Sequence, residues 1–144
     1  MEDKKLTFED YDSVSIHYDD ARRPVGLKSF KQHLRASQYA NNHKILDLGC
    51  GTGNYLQHLH TEAVEYIGLE QSEGMVNQCK SKIELLGITN STVVQGSAFE
   101  LPFQDEEFTA IITTQTIHHF GGKEKILDVL KECSRVLKKG FRIN

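Results

Sequence analysis

The chain has 144 residues, a length typical of one domain, with 38% hydrophobic and 26% charged residues. Its formal net charge is −3 and it has no run of lysine or arginine, which argues against a nucleic-acid partner. No apolar run is long enough to span a membrane or to form the core of a signal peptide. The cysteines Cys50, Cys79 and Cys133 form no Cys-x-x-Cys pair, which favours a reducing, cytoplasmic location and predicts no metal site.

The first predicted helix lies near residue 30. Pro24 suits the first turn of a helix, and Leu27, Phe30 and Leu34 follow it at helical spacing. The apolar run at residues 44–48 predicts a strand. After it come a glycine cluster and a short helix over residues 54–60.

A second strand is predicted at residues 66–69, closed by Glu70. Ser72 is a good N-cap for the helix that follows, and Gly87 is its stop signal. The apolar stripe of this helix comprises Met75, Val76, Cys79, Ile83 and Leu86.

Two further strands are predicted at residues 92–94 and 108–113, followed by a helix over residues 123–138 with Gly140 as its stop. The predicted buried face of that helix comprises Ile126, Leu130, Cys133 and Leu137. Strands that alternate with helices of this length predict an α/β fold with a parallel sheet.

A glycine-rich loop follows the first strand, with Gly49, Gly51 and Gly53. Glycines there permit a tight turn and a close approach of ligand to backbone. Dinucleotide-binding loops have the pattern G-x-G-x-x-G, but here Asn54 stands where the third glycine is needed. Glu70, at the tip of the second strand, could accept hydrogen bonds from both ribose hydroxyls of an adenosine.

Several segments resemble motifs of the class I S-adenosylmethionine-dependent methyltransferases, in particular the small-molecule branch that includes quinone-biosynthesis enzymes. Residues 47–53 (DLGCGTG) are similar to the first motif, residues 66–75 to the second-strand motif and residues 95–103 to the segment after the third strand. Residues 135–143 are similar to the stretch that leads into the family's fifth strand. The resemblance covers about residues 8–143. It implies a Rossmann-like, mostly parallel sheet flanked by helices, with the C-terminal strands missing.

The resemblance also implies S-adenosylmethionine as the cofactor and assigns its contacts. The loop of residues 49–53 would hold the methionyl part, with Asp47 orienting the loop and contacting the amino group. Glu70 would bind the ribose, while Ser97 replaces the aspartate that usually accepts from the adenine amino group. The implied cofactor-binding residues are Tyr18, Asp47, Gly49, Cys50, Gly51, Thr52, Gly53, Glu70, Gln71, Met75, Ser97, Ala98, Phe99 and Gln115.

In related enzymes a similar N-terminal segment covers the cofactor. The resemblance therefore divides the chain into a helical lid segment, residues 1–40, and a cofactor-binding domain, residues 41–144, with Tyr18 nearest the methionyl end. His118 and His119 follow the fourth strand, where the acceptor should bind, and are candidate catalytic bases. The alternative for the two histidines is a helix cap or the surface, and for the N-terminal segment plain packing.

Met75 and Phe99 equally suit core positions without ligand contact.

We expect methyl transfer to a small-molecule acceptor. The alternative is a binding module without full catalysis, a truncated isoform or pseudoenzyme, since the chain stops where the fifth strand of the family begins. A nicotinamide-dependent dehydrogenase is disfavoured by the glycine spacing. The strand at residues 108–113 is apolar on both faces, so at a sheet edge it predicts a homodimer through that edge.

Overall fold

The structure, a computed structural model, describes residues 24–113 and 121–140. In this part of the chain a four-stranded sheet has helices on both faces. The strands are β1 (Lys44–Leu48), β2 (Glu65–Glu70), β3 (Ser91–Gln95) and β4 (Ala110–Thr113). The helices are α1 (Leu27–Ala36), α2 (Leu56–Leu59), α3 (Glu73–Leu85) and α4 (Lys123–Val136), with a 3₁₀ turn at His60–Glu62.

The sheet has the order β3-β2-β1-β4, and every neighbouring pair is parallel. The chain leaves β1 towards β2 on one side, and later places β4 on the other side. The carboxyl end of β1 is therefore the point where the strand order switches direction, which is where open α/β sheets bind their ligands. The predicted α/β class with a parallel sheet is confirmed.

Successive side chains of the strands point to opposite faces, and each face has its own core. The first core lies under α1, α2 and α3; its main buried members are Leu34, Ile45, Leu56, Leu59, Tyr66, Val76, Cys79, Val93 and Ile112. The second core lies under α4; its buried members are Leu46, Leu48, Ile67, Leu69, Leu101, Phe108, Val129 and Val136. Because both faces are covered, the strands read as nearly continuous apolar runs.

Helix α1 is fastened to the amino end of the sheet through His43, which is 2% exposed. Its Nε2 donates to the carbonyl of Leu34 at 2.8 Å, and its Nδ1 lies 2.8 Å from the hydroxyl of Thr109, the residue before β4. The guanidinium of Arg35 binds both carboxylate oxygens of Glu62 across the same end. Leu34 of α1 also belongs to the first core. The division into a lid segment at residues 1–40 and a cofactor-binding domain at residues 41–144 remains a prediction.

The first two helices begin later than the sequence predicts, because glycines precede them. Gly26 has a φ of 76°, so α1 begins at Leu27 and Pro24 lies outside it. The glycine loop occupies the first residues of the helix predicted at 54–60, and α2 begins only at Leu56. Strands β1, β2 and β3 confirm the three predicted apolar runs to within a residue or so at each end.

Helix α4 ends at Val136, because Leu137 is already extended with a ψ of 132°. Gly140 is therefore not its stop. The predicted face is also wrong at Leu130, which is 53% exposed while Val129 is 4% exposed. The second core buries Val129 and Val136 and also contacts Cys133, so the buried face only partly matches the predicted one. In α3, Leu86 is likewise 55% exposed and is the C-cap, outside the buried stripe.

Strand β4 begins at Ala110, two residues later than predicted. Phe108 instead forms an isolated parallel bridge with Leu137, just after α4. Its N–H donates to the carbonyl of Val136 at 2.9 Å, and its carbonyl accepts from the N–H of Lys138 at 2.7 Å. Among the described helices, none is long and apolar enough to cross a membrane.

Candidate cofactor site

The loop after β1 is built from glycines that adopt a left-handed backbone. Gly49, Gly51 and Gly53 have φ values of 75°, 56° and 87°, a region that side chains with a Cβ rarely enter. The N–H groups of Gly49 and Cys50 both donate to the carbonyl of Leu69, at 2.8 and 3.0 Å. The loop is thus fixed against β2, and its sequence explains its shape.

Glu70 joins the carboxyl ends of β1 and β2. Its Oε1 accepts from the N–H of Gly51 at 3.1 Å, and its Oε2 accepts from the N–H of Ser72 at 2.8 Å. Each carboxylate oxygen has two lone pairs, so each keeps capacity for one further donor. A half-buried carboxylate held in this way is a fixed bidentate acceptor beside the glycine loop.

Asp47 lies beneath the loop and is 1% exposed. Its Oδ2 accepts from the hydroxyl of Tyr66 at 2.8 Å, whereas its Oδ1 is buried without a hydrogen-bond partner among the described residues. Burial raises the pKa of Asp47 to about 7; the Tyr66 hydrogen bond opposes that rise and the charge of Glu70 adds to it. A buried carboxyl with one free oxygen can receive a cation or a donor from a ligand.

Two cysteines that the sequence leaves unrelated meet behind the loop. The thiols of Cys50 and Cys79 lie close together, and their interaction, together with burial, raises the pKa of Cys50. Glycines make room for this pair. A Cβ at Gly68 would lie 2.6 Å from Sγ of Cys50, and one at Gly53 would lie 2.9 Å from Sγ of Cys79. No spacing rule connects these positions, so sequence reasoning missed the cluster.

Helix α3 begins beside this loop. Ser72 caps it as predicted, since its hydroxyl accepts from the N–H of Met75 at 3.3 Å. Met75 is 3% exposed, and Gln71 is exposed with its carbonyl accepting from Nε2 of Gln95 at 3.2 Å. Both lie near Glu70 in the chain, and their contact with adenine remains a prediction.

The segment after β3 forms a tight turn. The hydroxyl of Ser97 accepts from the N–H of Phe99 at 3.1 Å, Ala98 packs against the second core, and Phe99 is 42% exposed. Phe99 is therefore not the core filler that its alternative reading required. The adenine contacts assigned to these three residues remain predictions.

The structure brings Asp47, the glycine loop and Glu70 together at the carboxyl ends of β1 and β2. Cys50, Thr52 and Gly53 are buried within the loop. The other predicted site residues lie outside the described residues: Tyr18, Gln115, His118 and His119. In the described ranges, histidines, cysteines and carboxylates form no group of three that could hold a metal ion.

These residues fit an adenosine cofactor that carries positive charge. Glu70 keeps acceptor capacity for the two ribose hydroxyls, and the free Oδ1 of Asp47 suits an ammonium group. Gly49 and Gly51, which have left-handed backbone, carry no side chain that would hinder a ligand near the loop backbone, whereas the absent side chain of Gly53 makes room for Cys79.

The comparisons with known proteins identify the family. Residues 45–140 match a family model described as a methyltransferase domain. The chain is 30% identical over 148 residues to a "probable tRNA methyltransferase 9B" of Bos taurus, covering 98% of this chain and 28% of that protein. It is 33% identical over 144 residues to a demethylmenaquinone methyltransferase of Lactococcus lactis, covering 92% of this chain and 54% of that protein.

Solved structures share the fold. The YcgJ protein of Bacillus subtilis aligns at 29% identity with a TM-score of 0.68, over 77% of this chain and 46% of that one. A SAM-dependent methyltransferase of Aquifex aeolicus aligns with a TM-score of 0.71 over 93% of this chain and 69% of that one, at 21% identity. The chain spans 28% of the length of the first of these two curated relatives and 54% of the length of the second. With the family model covering well over half of its residues, the chain belongs to the class I S-adenosylmethionine-dependent methyltransferases.

Proposed function

We propose that this chain binds S-adenosylmethionine at the carboxyl ends of β1 and β2, and that the protein transfers its methyl group to an acceptor. The observation that carries the proposal is the glycine loop fastened to Glu70 through the N–H of Gly51. Glu70 would accept from the ribose hydroxyls, and the free oxygen of Asp47 from the amino group. Gln71, Met75, Ser97, Ala98 and Phe99 would surround the adenine.

When bound, the cofactor would supply an electrophilic sulfonium methyl group, which an acceptor nucleophile would attack in line with the breaking S–C bond, with S-adenosylhomocysteine leaving as the neutral thioether. The protein's own task is then to align the acceptor with that methyl and to exclude water. Tyr18 would lie nearest the methionyl end of the cofactor, and Gln115 would also contact the cofactor. His118 or His119 would take a proton only from an acceptor that is protonated before transfer.

For the acceptor we propose a small molecule, supported by the net charge of −3 and by the similarity to demethylmenaquinone methyltransferases. A tRNA acceptor is the second candidate, because three relatives at 30–33% identity carry the name of a tRNA methyltransferase. The net charge argued against a nucleic-acid partner, but the similarity to these relatives keeps nucleic acid as a candidate acceptor. A binding module with impaired catalysis is the remaining alternative.

Calorimetric titration with S-adenosylmethionine, its demethylated product and NAD tests the cofactor assignment. We expect the first two to bind and NAD not to bind. Equal affinity for NAD would contradict the assignment. Methyl release from labelled cofactor, assayed with a hydroquinone and separately with bulk tRNA, then distinguishes the two acceptor classes. Binding without release to either would favour the binding module.

A further inference from the structure

Tyr66 is a buried polar residue that the proposed function does not use. It lies in β2, is 0% exposed, and directs its hydroxyl to Oδ2 of Asp47 at 2.8 Å. In the sheet, Tyr66 pairs with Ile45, and Asp47 pairs with Gly68. Tyr66 and Asp47 are thus diagonal neighbours on one face, and the residue directly beside Asp47 has no side chain to come between them.

The hydrogen bond has a specific electrostatic effect. Donation from a phenol hydroxyl favours the charged form of the carboxylate it contacts, and this contact lowers the pKa of Asp47 against the opposing effect of burial. The other titratable groups around the pair, in the described part of the chain, are Glu70, Cys50 and Cys79. Glu70 raises the pKa of Asp47, so among these groups Tyr66 is the one that favours the charged carboxylate.

The hydrogen bond also leaves the two carboxylate oxygens unequal. Oδ2 is occupied by Tyr66, whereas Oδ1 has no partner among the described residues. Burying Oδ1 of Asp47 without a hydrogen bond costs free energy. Packing of Tyr66 against Asp47 alone does not explain that cost, whereas a ligand that donates to Oδ1 does.

We propose that Tyr66 is a positioning residue of the cofactor site, whose hydroxyl fixes Asp47 through one oxygen, favours its carboxylate form and leaves the other oxygen free for the cofactor's amino group. This inference rests on the proposed function. It assigns to Tyr66 an indirect role, because the residue acts through Asp47 and does not itself touch the ligand.

The test is the ratio of dissociation constants of Tyr66→Phe and the unmodified chain for S-adenosylhomocysteine, measured by calorimetry between about pH 6.5 and about pH 9. A ratio cancels the titration of the ligand itself. We expect about tenfold weaker binding by the variant near neutral pH, the effect of a shift of one pKa unit, with the ratio falling towards one as pH rises. Tyr55→Phe is the matched control, since its hydroxyl binds the carbonyl of Val25 at 3.1 Å in the same core and leaves Asp47 untouched.

A ratio that does not change with pH, or that changes equally for Tyr55→Phe, would overturn the inference and leave the proposed function intact. Absence of binding by the unmodified chain would instead remove the proposed function and this inference with it. If Tyr66→Phe does not fold, protein made with 3-fluorotyrosine decides the question. Its hydroxyl is a more acidic donor, so the pH midpoint of binding should move to lower pH, and an unmoved midpoint contradicts the proposal.

Discussion

Burial moves the ionisation of Asp47 into the neutral range, which makes this one residue a source of pH-dependent stability. Its pKa is raised from 3.8 to about 7 in the folded protein. The folded state therefore keeps a proton that the unfolded state has already released, and stability falls as pH rises through that window. Above about pH 7 the folded protein carries the full cost of a buried charge.

Asp47→Asn should remove this pH dependence. The asparagine oxygen can still accept from Tyr66, but no charge is buried. Urea unfolding of the variant and the parent should show the difference in unfolding free energy shifting in favour of the variant by about 3 kcal/mol between about pH 5 and about pH 8. Asp128→Asn, at an exposed position of α4, is the control and should leave the slope unchanged. Parallel slopes for Asp47→Asn and the parent would contradict the prediction.

Glu70 carries the clearest prediction for ligand binding. Glu70→Ala removes the acceptor for the ribose and the tether of Gly51, so affinity for S-adenosylmethionine should fall by roughly 1.5–3 kcal/mol, the range for hydrogen bonds to a charged group. Calorimetry measures the change. Glu73→Ala, an exposed carboxylate in the first turn of α3, should bind like the parent. If both variants bind equally well, the ligand lies elsewhere.

At the scale of elements, the strands were predictable and the helix ends were less so. A strand buried on both faces leaves a continuous apolar run, and β1, β2 and β3 could be located from that alone. Helix α4 shows why a face is harder to predict. Its sequence offers two apolar rows, and only contact with the second core decides that Val129 is buried and Leu130 is exposed.

The candidate site, too, could be predicted only in part from the sequence. The glycine loop and Glu70 follow from local sequence, since both are adjacent to the strands that position them. The contacts Tyr66–Asp47 and Cys50–Cys79 depend on strand register and on the packing of α3, which no local pattern encodes.

Gly68→Ala should disturb this packing from within β2. The new Cβ would lie 2.6 Å from Sγ and 3.0 Å from Cβ of Cys50, so the glycine loop must shift. We expect a loss of about 1–3 kcal/mol in unfolding free energy, as for other overpacked cores, with weaker cofactor binding. Adding Cys50→Ala should restore part of the loss, because it removes the nearest atom. Adding Cys79→Ala should not, and equal rescue by both would refute the steric explanation.

At the scale of the whole molecule, Phe108 already has backbone hydrogen bonds to Val136 and Lys138, so along the described part of this edge only the residues of β4 after it are open to pairing with another chain. Among the described residues, β4 has β1 on one side and no strand on the other over Ala110–Thr113. We expect the chain to dimerise or aggregate through these residues. Light scattering at tens of micromolar tests this, and hydrogen exchange should show protection of residues 110–113 that increases with concentration. A stable monomer without such protection would contradict the prediction.

The fastening of α1 through His43 has a consequence for how this protein can evolve. His43, Thr109, Arg35 and Glu62 lie at the amino end of the sheet, whereas the glycine loop and Glu70 lie at the opposite end. Substitutions in the first group alter how firmly the domain holds together and leave ligand chemistry alone. We therefore expect thermal stability and cofactor affinity to change separately, so that descendants of this chain can adapt to a new temperature without altering the residues that bind the cofactor.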